Sequence, residues 1–186
     1  ENREQLLRIR DSGFLPEGMM VDMGKEAGSI HALVRDSDLY PLQQLMTAAE
    51  VATVGDAANL PKLQEMLKDE HPAVRYWGAV GCIILDDKAE SAKATLTKMA
   101  SDDDDPNVRI AAAEAAAGLG ETKLCLDVCV ELLSHNNEWI ALHAANVLQH
   151  LGEEAKPVLA DIQKAAKTSK NYVQRSTQTT SAQLSK

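Results

Sequence analysis

The sequence predicts an all-α protein, an α-α superhelix of about four to five antiparallel helix pairs with an irregular helical lead-in. Three observations predict it. One phrase returns four times, as His71-Pro72-Ala73-Val74-Arg75, Asp105-Pro106-Asn107-Val108-Arg109, Asn137-Glu138-Trp139-Ile140-Ala141 and, more weakly, Lys170-Asn171-Tyr172-Val173-Gln174. Its apolar anchors Val74, Val108, Ile140 and Val173 lie 34, 32 and 33 residues apart, the period of stacked helical units that bury a face only against their neighbours. Aromatic residues make up 3% of the chain while alanine and leucine dominate its 45% apolar share, a composition for closely packed helices and not for strands. Glycines and prolines fall at the same period, Gly55, Gly120 and Gly152 where a first helix stops and Pro72 and Pro106 where the next unit starts.

Taken in order, residues 2–10 read as a lead-in helix carrying Leu6, Leu7 and Ile9, stopped by Gly13 and Pro16. Met19, Met20, Val21 and Met23 form a short helical turn before Gly24, and Ser29 caps a helix from Ile30 to Arg35 with Leu33 and Val34 inward. Residues 1–40 are thus a helical lead-in or linker from a preceding domain, and 41–186 the repeat domain. Pro41 is read as the first helical residue of the array, with Leu42, Leu45, Met46, Ala49 and Ala52 on one face and Gly55 at the end. Its partner runs from Leu60 to Lys68 with Leu63, Met66 and Leu67 inward, and the later pairs are 72–85 with 89–100, 106–118 with 123–134, and 138–151 with 155–167. The helix over 171–183 substitutes Gln174, Arg175, Thr177, Gln178, Thr179 and Thr180 for the usual alanine and leucine, the polar outer face of a terminal cap, and places the natural C-terminus near Lys186.

A net charge of −9, from 28 acidic against 19 basic residues, argues against nucleic acid and against anionic membrane surfaces as partners. No stretch has the roughly 20 apolar residues of a membrane span, and Glu1-Asn2-Arg3-Glu4 is not a signal sequence. The start at Glu1 without a methionine reads as a piece of a larger protein or a processed product. Cys82, Cys125 and Cys129 read as buried free thiols; Cys125 and Cys129 at i, i+4 would make half a zinc site but lack a second ligand pair.

Residues 105–120, Asp-Pro-Asn-Val-Arg-Ile-Ala-Ala-Ala-Glu-Ala-Ala-Ala-Gly-Leu-Gly, resemble the HEAT-like repeat first named for phycobilin lyases, within the wider HEAT and armadillo class; 72–86 and 138–152 are similar to it. The resemblance covers 41–183 and implies a packing scheme, not an activity. A narrower one lies in segment order. Arg8-Ile9-Arg10-Asp11-Ser12-Gly13-Phe14-Leu15-Pro16-Glu17-Gly18-Met19-Met20, then Asp38-Leu39-Tyr40-Pro41-Leu42, then His71 to Ala79 is similar to the region after the catalytic domain of bacterial arylsulfatases and heparan N-sulfatases that carry a C-terminal helical-repeat extension. That family's nucleophile is made from the first residue of C/S-x-P-x-R, and Cys82, Cys125 and Cys129 are followed by Ile83-Ile84, Leu126-Asp127 and Val130-Glu131, so no residue is carried over as catalytic. The family's calcium-site pattern is also missing, and a sulfatase parent implies a periplasmic or secreted location.

Among single candidates, Asp102-Asp103-Asp104-Asp105 offers hard oxygen ligands but lacks the alternation, turn glycine and distal Glu of a calcium loop. It is read as a solvated loop whose last carboxylates favour the next helix N-terminus, with Asp103→Ala nearly silent. Trp139, His143 and His150, near His135, form a stripe at i, i+4 and i+11 without an orienting carboxylate, which reads as packing or surface histidines. Arg75 and Arg109 recur at equivalent positions; they form either a ladder for a sulfated or carboxylated partner or pairs with a carboxylate of the adjacent inter-repeat turn such as Asp69 or Asp105. Tyr76 and Trp77 point about 100° apart, so one packs between layers and the other reaches a surface.

With no catalytic, cofactor-binding or metal-ligating set to name, this chain is read as no enzyme itself and as needing no cofactor. The reading is a non-catalytic C-terminal interaction module of a larger sulfatase-like enzyme, packing against its catalytic domain or shaping access to it. The alternative is a stand-alone scaffold that binds a protein in a concave groove lined by its second helices, where Lys62, Lys93, Lys98, Asp127 and Lys164 predict a mixed polar surface. A lyase-like enzyme acting on a chromophore finds no paired carboxylates and no nucleophile with a base.

Overall fold

Eleven helices follow one another through the described residues, 15–185, of the computed structural model: α1 (Glu17–Glu26), α2 (Ile30–Leu33), α3 (Leu42–Thr53), α4 (Leu60–Met66), α5 (Pro72–Leu85), α6 (Lys93–Asp102), α7 (Pro106–Gly118), α8 (Thr122–Leu132), α9 (Glu138–Leu151), α10 (Leu159–Thr168) and α11 (Asn171–Leu184). The lead-in helix expected over 2–10 and the Arg8–Phe14 part of the sulfatase-like segment lie outside these residues. From α3 onward the helices form four pairs and a closing single helix, an α-α superhelix without strands among the described residues. All four anchors are buried, Val108 and Ile140 completely.

The unit boundaries repeat one hydrogen-bonded turn. His71, Asp105 and Asn137 stand just before α5, α7 and α9, and each side chain accepts the backbone N–H two residues on, from Ala73, Asn107 and Trp139. Two residues earlier, Asp69, Asp103 and His135 accept the N–H of those same capping residues, at 2.8, 3.0 and 3.0 Å. Each turn thereby satisfies donors that a helix start leaves open. Pro72 and Pro106 begin α5 and α7 as expected, whereas Pro41 caps α3 from outside and does not begin it.

Helix ends differ from expectation at two places. Asp86–Ala92 and Gly152–Val158 wind as 3₁₀ segments before α6 and α10, so those second helices start later than sequence periodicity placed them. Gly55, Gly120 and Gly152 have positive φ of 69°, 94° and 56°, and Asp86 takes the equivalent place in the second unit at φ 52°. A glycine there meets no Cβ clash; an aspartate does. The lead-in also differs: α1 runs through Gly24 to Glu26 as a full helix, while Ser29 caps α2 as read, accepting the Ala32 N–H at 3.0 Å.

Packing decides the curvature. First helices lie directly against one another, α3 on α5, α5 on α7, α7 on α9 and α9 on α11, while second helices touch one another little. The cause is side-chain size. Ala111, Ala112, Ala113, Ala115 and Ala116 of α7 are buried, and a Cβ on Gly81 of α5 would press on Leu63 and on the Ala52 backbone. Small side chains let backbones approach, so the first-helix layer is the shorter one and the stack bends around it. The rings of Tyr76 on α5 and His143 on α9 meet 6.1 Å apart, two helices over, closing across α7.

Candidate functional site

The concave face therefore belongs to the first helices α5, α7 and α9, not to the second helices that the sequence reading assigned to the groove. The second helices carry the expected mixed polar surface on the outer side, with Lys62, Lys98, Asp127 and Lys164 exposed and Lys93 paired to Glu121 at 3.2 Å. Part of the concave layer is already occupied by the chain itself. Met19 and Met20 of α1 are buried, and Asn137 donates from Nδ2 to the Gly18 carbonyl at 3.0 Å and to Asp22 at 3.1 Å. A Cβ on Gly18 would collide with Ile140 and crowd Asn107, so glycine sets how closely α1 seats.

Toward the C-terminal ends of α5, α7 and α9 lies an open cavity of about 450 Å³. Ile83, Ile84, Asp86, Glu114, His150 and Glu154 are among its walls, with Ile84 45% exposed. Glu114 sits in the floor as the one charge inside the alanine run of α7, and it meets His150 Nδ1 at 2.8 Å, an ion pair when the ring is protonated. His150, read as a packing or surface histidine, is exposed but held by this carboxylate. Glu114 was not singled out from the sequence; the signal was there in a lone acid among alanines, which a helix tolerates in a buried layer only when something faces it.

A second, smaller pocket of about 180 Å³ opens where α1 meets the same face. Glu17, Tyr76, Asn107, Trp139, His143 and Asn146 line it. Burial, reinforced by the charge of Glu114, pushes the Tyr76 phenol up to about 12, so it stays protonated. Burial pushes His143 down to about 4, leaving a neutral imidazole at pH 7. Tyr76 and Trp77 are both half-buried and touch edge-on at 5.8 Å, which replaces the expected split of one inward and one outward ring. Trp139 stacks on Tyr172 at 5.8 Å, and Arg175 lies over the far ring.

The arginines are structural brackets across unit boundaries. Arg75 binds Asp103 through Nε and Nη2, both at 2.8 Å, and its Nη1 donates to the carbonyls of Asp69 and Glu70. Arg109 binds Glu131 through Nη1 and Nη2, at 2.9 and 2.8 Å, and its Nε donates to the Ala100 carbonyl. The expected pairing with a carboxylate of the adjacent inter-repeat turn, such as Asp69 or Asp105, holds in kind for Arg75, whose partners Asp103 and Asp104 lie in the turn before α7, but not for Arg109, whose partner Glu131 lies in α8. The pairing raises Arg75 and Arg109 above the ordinary guanidinium range, and Arg109 holds Glu131 below the usual carboxylate range. The aspartate run divides accordingly: Asp104 is exposed, Asp105 caps α7, and the Asp103 side chain is 5% exposed under Arg75. Asp103 is therefore no solvated loop residue. Burial raises the Asp105 carboxyl despite the N–H groups it accepts.

Thiol chemistry is muted. Cys82, Cys125 and Cys129 are free and buried. Burial pushes Cys82 up to about 11, and the contact with Cys125 together with burial holds Cys129 well above its ordinary value. A thiol held protonated is a poor nucleophile. Among the described residues no three His, Cys, Asp or Glu side chains gather as a metal-binding group, and no helix is long and apolar enough to cross a membrane. What this face offers is a surface lined by carboxylates and aromatic rings.

The family described as HEAT repeats matches residues 29–117 and again 93–179. The match concerns the repeats and links the chain to neither a sulfatase nor a phycobilin lyase. No curated protein matches the chain.

Proposed function

The chain belongs to the HEAT-repeat family, and from that premise we propose that it is a non-catalytic interaction module that receives a protein partner on the concave face of α5, α7 and α9. HEAT repeats are typically non-catalytic and commonly mediate protein interactions. The observation that carries the reading is the groove itself. It carries an exposed isoleucine and a floor carboxylate in one pocket and aromatic walls in another, while the outer helices present solvated charges.

The finer reading is that this module follows the catalytic domain of a larger sulfatase-like enzyme and packs against it or shapes access to it, in a periplasmic or secreted protein. Residues 1–40 then form the junction and 41–186 the module with its polar cap. Support comes from the segment resemblance, and from the fact that two of its segments meet: Pro16 and Glu17 of the first and Tyr76 of the third line one pocket. The gene upstream of Glu1 should encode a C/S-x-P-x-R domain; a start codon or an unrelated domain there removes the sulfatase parent and leaves a stand-alone scaffold. Photo-crosslinking residues placed at Ile84 or Asn146 should capture the partner, and ones at Lys98 or Asp127 should not. Capture from the outer positions alone would move the interface off the concave face.

A further inference from the structure

We propose that the small pocket between α1, α5, α7 and α9 receives the guanidinium of an arginine side chain presented by the partner; the proposal rests on the reading of the concave face as the binding surface. Two shielded polar atoms in this pocket carry it, an amide oxygen and an imidazole nitrogen that accepts when the ring proton is on Nε2. Asn107 is 1% exposed, yet its Oδ1 has no hydrogen-bond partner among the described residues. Its orientation is set by Nδ2, which donates to Asp105 Oδ1 at 3.3 Å; turning the amide over would set two oxygens against each other. His143 Nδ1 is likewise shielded and unpartnered among the described residues. A buried acceptor left open costs about 1–3 kcal/mol, so the site is built for a donor that the described residues do not supply.

The surroundings select the donor. The aromatic rings of Tyr76 and Trp139 and the carboxylate of Glu17 line the pocket, and among the described residues no lysine or arginine does. A neutral imidazole offers one acceptor nitrogen, and an amide oxygen offers two lone pairs. Guanidinium brings five donors in one plane, has no acceptor to leave unpaired, and stacks on aromatic faces. An ammonium group is a compact, strongly hydrated charge that cannot also stack. A volume of about 180 Å³ admits a side chain and excludes a folded element.

The test is a titration of the intact chain with Nα-acetyl-arginine methylamide, its citrulline counterpart and its lysine counterpart, read by NMR at the His143 imidazole and the Trp139 indole. Saturable shifts with the arginine compound are expected at both rings, with citrulline and lysine at least about tenfold weaker. Asn107→Ala and His143→Phe should each weaken arginine binding by about tenfold, with thermal melts establishing that both variants fold. Equal binding of citrulline, shifts confined to other residues, or indifference to both substitutions would overturn the proposal. So would binding seen only after removal of residues 1–14, which would give the pocket to the chain's own arginines. An empty titration with concave-face crosslinks still present defeats the arginine pocket alone; loss of those crosslinks defeats the interface.

Discussion

Asp103 and His143 show how a single side chain acquires its role from groups remote in sequence. Asp103 lies in a run of four acids, but its carboxylate is clasped by Arg75, whose own side chain is 13% exposed. Removing it leaves a partly buried guanidinium with only the exposed Asp104 carboxylate, 2.6 Å from Nη2, as its charge partner, and frees the Asp105 N–H. Asp103→Ala should therefore cost on the order of 3 kcal/mol in denaturant melts, while Asp104→Ala stays within about 0.5 kcal/mol. Equal and small effects from both would show that the bracket contributes nothing. His143 makes a pH prediction. Its folded-state value of about 4 lies below the ordinary 6.5, so between these values the unfolded chain binds the proton more readily and stability falls as pH drops from 6.5 toward 4. At about 1.4 kcal/mol per unit, the loss is on the order of 2–4 kcal/mol, and His143→Phe should flatten that part of the stability–pH curve.

At the scale of the element, the helix ends obey one geometric demand met by two residue types. Asp86 holds φ 52° and ψ −130°, close to the φ 56° and ψ −124° of Gly152 two units on. Asp86→Gly should stabilise the protein by about 1 kcal/mol, and Gly152→Ala should destabilise it by at least as much, both read as shifts in the denaturation midpoint. A loss of stability in Asp86→Gly would mean that the carboxylate at the cavity edge contributes more than its backbone strain costs. The 3₁₀ segments that follow both positions were not legible, because 3₁₀ and α turns share the same coarse spacing of apolar residues and differ by which carbonyl each N–H reaches. The caps were legible, since capping is a contact between residues two or three apart.

From α3 onward the helices stack in one dimension, so each unit is covered only by its neighbours. α11 packs on α9 and α10 through buried Val173, Thr177, Thr180 and Leu184 and turns Tyr172, Arg175 and Thr179 outward. Ending the chain at Ser169 should lower the melting temperature and cause self-association in sedimentation velocity, because the apolar side of α9 and α10 loses its cover. A truncated chain that stays monomeric and melts as before would remove the capping role. In the interior, stability is shared between neighbours, and Leu132→Ala, at a site 5% exposed, should cost about 2–5 kcal/mol.

By itself the sequence determined the helical class, the period, the pairs, the capping prolines and glycines and the polar last helix. Each is written in spacings shorter than one unit, where burial and hydrogen bonding act on near neighbours. Only the tertiary structure decided which layer is concave, which carboxylates Arg75 and Arg109 grip, and that Glu114, Asn107, Tyr76 and His143 share one face. Those facts depend on how closely whole units approach, as when Asn137 reaches Gly18 across 119 positions. Curvature is set by the sum of many small side-chain volumes at helix contacts, and no spacing along the chain records that sum.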